Sequence, residues 1–186
     1  AGTLDPLATG LMIICTGKFT KRIEEFMGQE KEYTGTIVVG ATTPSYDLET
    51  EIDATFPTDH LSEEAIHKAT AQFTGSIMQQ PPIFSALKKD GKRLYEFARE
   101  GKNVDIPSRE VQVSAFEITR IALPEVDFRI SCSKGTYIRS LAHDFGKALN
   151  SGGHLSALRR TKIGDFQVKN ATDLEAFEAA LNASVS

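Results

Sequence analysis

Two segments near the middle of the chain, Val111 to Arg120 and Val126 to Ser133, alternate apolar and polar residues and are joined by a Leu123-Pro124-Glu125 turn. Alternation with a period of two puts one set of side chains on each face of an extended ribbon, so the pair predicts a hairpin of half-buried strands. Tyr33 to Thr42, β-branched and bounded by glycines, predicts a further strand, and Thr161 to Val168 a last one. Helical spacing is interspersed among these segments without regular strand-helix-strand alternation. That mixture predicts an α+β fold with a mixed, mostly antiparallel sheet flanked by helices. At 186 residues the chain suits a single domain, 1–186, able to bury a substantial core, and 40% hydrophobic with 25% charged residues is the balance of a soluble globule.

The helical segments are Thr20 to Gly28, with Phe19, Ile23, Phe26 and Met27 on one face, and the stretch after Ser62, with Leu61, Ala65, Ala69 and Phe73 as its buried stripe and Gly75 as its stop. Ser62 followed by Glu63 and Glu64 is an N-cap with acidic residues in the first turn. After Ser133-Lys134-Gly135-Thr136, a helix should bury Ile138, Leu141, Phe145 and Leu149; Gly152-Gly153 opens a loop, and Asp173 to Leu181 closes the chain as a helix. Net charge is −4, but it is unevenly spread. Residues 43–59 carry only acidic charges and should repel phosphates, whereas Pro81 to Lys102 carries Lys88, Lys89, Lys92, Arg93, Arg99 and Lys102 against Asp90, Glu96 and Glu100. Phe84, Tyr95 and Phe97 interleave those charges, and a short helix from Lys92 to Glu100 would present them on a projecting element spanning 79–110. Lys134 to Asp165 is a second basic stretch.

Familiar catalytic kits are missing: there is no glycine-rich phosphate loop, no H-E-x-x-H and no G-x-S-x-G. His60, His67, His143 and His154 make no ligand spacing and read as surface or helix residues, and Cys15 and Cys132 read as small core residues. Neither a metal nor a cofactor is indicated. The longest apolar run, Leu11 to Cys15, is too short to span a bilayer, and no signal peptide is visible, which points to a cytoplasmic protein. What remains is Asp5, held between Leu4 and Pro6 in a glycine-bracketed turn; if Pro6 opens a helical turn, Asp5 is its N-cap. A lone, fixed carboxylate beside apolar residues is a candidate nucleophile, and Asp-Pro is equally a common way to begin a turn. Arg139, near the first turn of its helix, could reach a carboxylate bidentately or face solvent. Tyr33 and Tyr137, at element edges, could stack on a base or pack at the rim of the core.

The string Gly2 to Gly10, G-T-L-D-P-L-A-T-G, resembles the signature loop of the tRNA pseudouridine synthase B (TruB) family, which carries the catalytic aspartate. Lys31-Glu32-Tyr33 is similar to the family's K-x-Y motif, whose tyrosine packs on the target base. Lys134 to Arg139 looks like its K-G-T-Y-I-R motif, whose arginine pairs with the aspartate. His154 to Arg160 resembles the leucine-and-double-arginine motif that closes the pocket, and Asp47 matches the acidic position of a T-x-D loop from which Pro44, Ser45 and Tyr46 depart. Gln79 to Glu110 resembles an RNA-gripping thumb.

The resemblance implies a pseudouridine synthase fold with that thumb inserted, Asp5, Arg139, Tyr33 and Tyr137 as catalytic residues, and Leu4, Asp47, Leu158 and Lys134 around the substrate. Phe84, Lys88, Lys89, Lys92, Arg93, Arg99, Arg159 and Arg160 would contact RNA. It implies a monomer that isomerises uridine 55 in the T loop of tRNA without a cofactor. Because the chain enters its best motif at Ala1, a further N-terminal segment is expected upstream; twenty residues after Phe166 are too few for an appended PUA domain. Two competitors stand beside this: an RNA-binding or tRNA-folding module without turnover, and a small-molecule hydrolase or lyase using Asp5, which leaves the thumb unexplained.

Overall fold

The computed structural model describes residues 1–185. In chain order its elements are β1 (Thr9–Gly10), α1 (Ile23–Met27), β2 (Lys31–Val39), β3 (Ala41–Thr42), β4 (Ala54–Thr55), α2 (Glu63–Ala69) and β5 (Gly75–Gln79). There follow β6 (Lys88–Lys89), β7 (Lys92–Arg93), α3 (Leu94–Arg99), β8 (Arg109–Ala122), β9 (Glu125–Cys132), α4 (Ile138–Ala148), β10 (Gly153–Ile163), β11 (Phe166–Gln167) and α5 (Leu174–Val185). A seven-stranded sheet runs β1-β10-β2-β9-β8-β5, with β11 pairing β10. Only β1 and β10 are parallel; every other pair in this sheet is antiparallel. Among the described residues no helix is long and apolar enough to cross a membrane.

The predicted hairpin forms β8 and β9, inside the sheet between β2 and β5. On β9, Val126, Phe128, Ile130 and Cys132 are buried while Asp127 and Arg129 point to the other face. There Arg120 bonds Asp127 at 2.6 Å, and Arg129 pairs with Glu117. The buried face packs on α4 and α2: Ile37, Val113, Val126, Phe128 and Ile130 of the sheet share one core with Ile66, Ile138, Leu141, Phe145 and Leu149. Burying large aliphatic and aromatic side chains contributes about 1.5–3 kcal/mol each, so the sheet-α4 interface is the main source of stability. Gly146 lets α4 lie against β10, since a Cβ there would stand 2.2 Å from the Gly153 nitrogen.

Several local expectations need correction. The predicted loop at Gly152-Gly153 and the start of the predicted last strand belong to one strand, β10, interrupted by irregularities between Leu155 and Ala157 and between Arg160 and Lys162, and the end of that predicted strand turns back as β11. An extra residue at each irregularity shifts which side chains face inward, so the period-two pattern cannot be followed across it. His154, expected at a surface or on a helix, lies inside this strand at 3% exposure, its Nδ1 2.8 Å from the Ala41 carbonyl. The first predicted helix is an irregular turn over Gly17–Arg22 followed by α1, and of its apolar residues only Phe26 is buried, edge-on to Phe166. Ser62 does cap α2, accepting from the Ala65 N–H at 3.1 Å, but the helix buries Ile66 and Ala69 rather than Ala65. Gly75 begins β5 instead of ending a helix. Cys132 is buried and Cys15 half-buried, and α5 has no buried residue.

Candidate active site

Asp5-Pro6-Leu7-Ala8 forms a β-turn closed by the Ala8 N–H donating to the Asp5 carbonyl at 2.9 Å, the arrangement favoured by Asp at the first position and Pro at the second. Asp5 therefore stands at the start of a turn, not at the N-cap of a helix. The chain then runs into β1, laid parallel to Arg159 and Arg160 of β10. Gly10 has a φ of 106°, and a Cβ there would lie 2.2 Å from the Arg160 carbonyl oxygen, so this close approach requires glycine. The Leu11 N–H donates to that same oxygen at 2.8 Å.

The turn aims the Asp5 carboxylate at α4. Arg139 Nε donates to Asp5 Oδ2 and Nη2 to Oδ1, each at 2.8 Å, a bidentate pair in which Arg139 is 3% and Asp5 29% exposed by side chain. Two parallel charge-assisted bonds fix direction as well as distance. The remaining nitrogen, Nη1, donates to the Phe84 carbonyl at 2.7 Å and lies 3.5 Å from the Ser45 carbonyl. Arg139 thus joins the opening turn, the start of the basic segment and the loop after β3.

Around this pair opens a cleft of about 800 Å³. Leu4, Tyr33, Tyr137 and Leu158 line it with Asp5 and Arg139, as do Lys134, Phe84, Arg93 and Arg99. Seven cationic and four anionic side chains face it, so it is positive in a chain whose net charge is −4. Tyr33 on β2 pairs with Arg160 of β10, and burial pushes its phenol up, keeping it protonated. Tyr137, at the N-cap of α4, has the guanidinium carbons of Arg109 and Arg139 at 5.3 and 5.9 Å from its ring centre. Burial lowers the Lys31 ammonium, with Arg160 adding to the effect; Lys31 donates to the Met27 and Gln29 carbonyls.

Other expected residues lie elsewhere. Asp47 is 5% exposed and lines a smaller pocket that it shares with Asp5 and Leu158, with its carboxylate accepting from the Ser45 hydroxyl at 2.6 Å and the Glu49 N–H at 3.0 Å. Lys88, Lys89 and Lys92 are outside the cleft on the projecting β6–β7 hairpin; Lys89 donates to the Asp105 carbonyl and Lys92 lies 3.5 Å from Glu100. Arg159 is exposed, 3.4 Å from the Thr9 hydroxyl. Arg160, expected to contact RNA, lines the cleft but is 1% exposed, and its guanidinium donates to the Leu11 carbonyl at 2.9 Å and the Gly2 carbonyl at 3.0 Å. It anchors the turn that carries Asp5.

Sequence reasoning missed Gln79 and Arg109. Gln79, 1% exposed, clasps the Tyr137 backbone, accepting from its N–H at 2.8 Å and donating to its carbonyl at 3.0 Å. Arg109 covers the Tyr137 ring and donates to the Gly135 carbonyl at 2.7 Å. Both reach a partner through a fold-dependent contact, and neither has a local motif; the one hint was a glutamine and an arginine at the two ends of the basic segment.

Comparison with known proteins bears on this geometry. The family model described as TruB family pseudouridylate synthase (N terminal domain) matches residues 1–138, and that of the tRNA pseudouridylate synthase B C-terminal domain matches 139–185. The two segments meet at the start of α4, and β10 from the second lies between β1 and β2 of the first. A protein of Flavobacterium johnsoniae named tRNA pseudouridine synthase B is 70% identical over 97% of this chain and 79% of its own length. One of the same name from Phocaeicola vulgatus is 55% identical over 95% of this chain and 75% of its own. Among solved structures, a chain of a Cbf5-Nop10-Gar1 complex superposes with a TM-score of 0.66 at 30% identity, over 89% of this chain and 40% of that one. A chain of an H/ACA RNP bound to a substrate RNA containing 2′-deoxyuridine superposes at 0.62 and 26% identity, over 89% of this chain and 38% of that one. Together the two family models match residues 1–185, which include the turn that holds Asp5 and the helix that holds Arg139: the chain belongs to the TruB family of pseudouridylate synthases.

Proposed function

We propose that this protein isomerises uridine to pseudouridine in tRNA, at uridine 55 of the T loop, acting as a cytoplasmic monomer, with Asp5 as the reactive carboxylate. The observation that carries this is the bidentate Arg139–Asp5 pair at 2.8 Å on the floor of a positive cleft. Isomerisation breaks the bond between ribose C1′ and N1 and rejoins the ring through C5. It needs a nucleophile or charge stabiliser, a hold on the detached ring and a base for the C5 proton, and no net redox change. Asp5 serves as the first, by attack on the base or on C1′ or by removal of a ribose proton. Arg139 holds it in one orientation.

Tyr33 stacks on the uracil in this reading, and its buried, protonated phenol, lining the cleft, supports that role beside a neutral base. Tyr137 is the candidate for assisting proton transfer, while Leu4 and Leu158 exclude water. A uridine in a folded loop must be flipped out at a cost of a few kcal/mol. The segment 79–110, with Arg93 and Arg99 each within 6 Å of the Tyr95 ring centre (5.9 and 5.1 Å), acts as the thumb that offsets it by gripping the loop, together with Lys88, Lys89, Lys92, Phe84 and Arg159.

A binding module needs no paired carboxylate, so Asp5→Asn separates the two readings. In a tritium-release assay on C5-labelled uridine in a T stem-loop RNA, the variant should lose turnover while binding RNA within a few-fold of the parent. Turnover by Asp5→Asn would overturn the assignment.

A further inference from the structure

The Thr43–Thr50 turn borders the site, and one of its residues has a conformation that the site's chemistry does not explain. Tyr46 has a φ of 67°, in the left-handed region that a bulky side chain seldom adopts. Such a residue persists only where its surroundings over-determine it. Three contacts do so. The Tyr46 N–H donates to the Thr43 carbonyl at 3.1 Å, its own carbonyl accepts from the Leu155 N–H of β10 at 2.8 Å, and its ring lies flat on that of His143, with centres 4.0 Å apart and planes at 16°.

His143 sits one helical turn after Arg139 on α4, so the two project from the same face. The turn is held on that face at two successive steps: Ser45, next to Tyr46, has its carbonyl 3.5 Å from Arg139 Nη1, and Tyr46 rests on His143. On the other side of Tyr46, Asp47 lines the small pocket it shares with Asp5 and Leu158. His143 Nδ1 is buried and, among the described residues, bonded by no protein group, so what the imidazole offers Tyr46 is its face.

We propose that Tyr46 and His143 are a positioning pair: their stack locks the Thr43–Thr50 turn onto α4, so that Ser45 and Asp47 stand beside the Arg139–Asp5 ion pair in one arrangement. The proposal rests on the assignment of Asp5 as the reactive carboxylate. Neither ring is a catalytic residue, because neither lines the cleft. The geometry separates the backbone's demand from the ring's. Glycine satisfies a φ of 67° better than tyrosine does, so Tyr46→Gly keeps the turn's conformation and removes only the stack. His143→Phe keeps a flat ring and forfeits no protein hydrogen bond at Nδ1.

The experiment measures single-turnover pseudouridine formation at saturating T stem-loop RNA, RNA affinity and melting temperature for Tyr46→Gly, His143→Ala, the double variant and His143→Phe, with Asp5→Asn in parallel. Tyr46→Gly and His143→Ala should each slow the single-turnover rate about tenfold or more while RNA affinity stays within twofold. The double variant should be no slower than either alone, as expected when two residues act through one contact. His143→Phe should recover most of the rate. A parent-like rate in Tyr46→Gly, multiplying losses in the double variant, or a rate that falls only with melting temperature overturns the pair. If Asp5→Asn turns over, the functional assignment itself fails, whatever the stack variants do.

Discussion

Arg160→Met tests whether Arg160 is an anchor of the opening turn or a contact for RNA. In the fold its guanidinium is 1% exposed and makes two bonds to backbone carbonyls, to Leu11 at 2.9 Å and to Gly2 at 3.0 Å. Hydrogen bonds to a charged group contribute about 1.5–3 kcal/mol each, so removing both costs about 3–6 kcal/mol gross. Relief of the buried charge's desolvation offsets part of this, as does the similar volume of Met, leaving about 2–3 kcal/mol net. The backbone bond from Leu11 N–H to the Arg160 carbonyl survives the substitution, so the loss concentrates in residues 1–12 rather than in the core. At 1.4 kcal/mol per factor of ten, the turn should open roughly 30- to 140-fold more often. A misplacement of Asp5 on the order of 1 Å costs about 100-fold in rate.

Hydrogen exchange at the amides of residues 2–12, single-turnover pseudouridine formation and RNA affinity at several salt concentrations read the three consequences. The expected result is fast exchange in that segment, a strongly reduced rate and an unchanged slope of log affinity against log salt. A phosphate contact predicts the reverse: parent-like exchange and a slope shallower by about 0.7–0.9. That outcome would refute the anchor. Replacing Lys88, Lys89, Lys92 and Arg93 together with Ala gives the comparison, since loss of the thumb's charges should flatten the slope.

Two further outcomes follow from the interior. Burial pushes the Cys132 thiol up to about 12, and the residue is 1% exposed, whereas Cys15 is half-buried; a disulfide reagent at pH 8 should label one thiol in the native protein and both after denaturation, and native labelling of Cys132 would contradict its burial. Burial, reinforced by Lys147, lowers the His143 pKa, so the neutral ring's contribution to stability is present above the ordinary histidine value of about 6.5 and is lost as pH falls through the lowered one. The melting temperature should therefore drop more between pH 7 and 5.5 in the parent than in His143→Phe. Asp144, which burial pushes up, works in the opposite sense and is common to both proteins; equal drops would dismiss the histidine.

Much of the fold was legible because its signals are local. A period of two across Val111 to Ser133 is a property of consecutive residues, and so are the Ser62 cap and the apolar face of α4, which buries Ile138, Leu141 and Phe145 as the spacing predicts. The turn at Asp5-Pro6 is likewise written in two adjacent side chains, one a hydrogen-bonding carboxylate and the other with φ already set. Misplaced elements were those where a local rule is interrupted. β10 has two irregularities that break the alternation, and α2 keeps Ala69 of its predicted stripe but buries Ile66 in place of Ala65, because its partner surface, not its own period, makes that choice.

The site divides along the same line. By itself the sequence determined which chemical groups are available: one carboxylate in a rigid turn, one arginine at the start of a helix, tyrosines at element ends and a basic, aromatic segment. It could not determine which of two adjacent arginines turns inward. Arg159 and Arg160 are alike in the chain, and strand pleating sends one to solvent and the other beneath Gly2 and Leu11. Nor could it bring Gln79 to Tyr137, 58 residues away, and it offered Arg139 as the partner of Asp5, 134 residues away, only through the family resemblance, because such contacts exist only once β1, β10 and α4 have packed. Tertiary structure decided those pairings. A buried donor or acceptor must find a partner wherever packing places one, and a chain position alone does not say where that is.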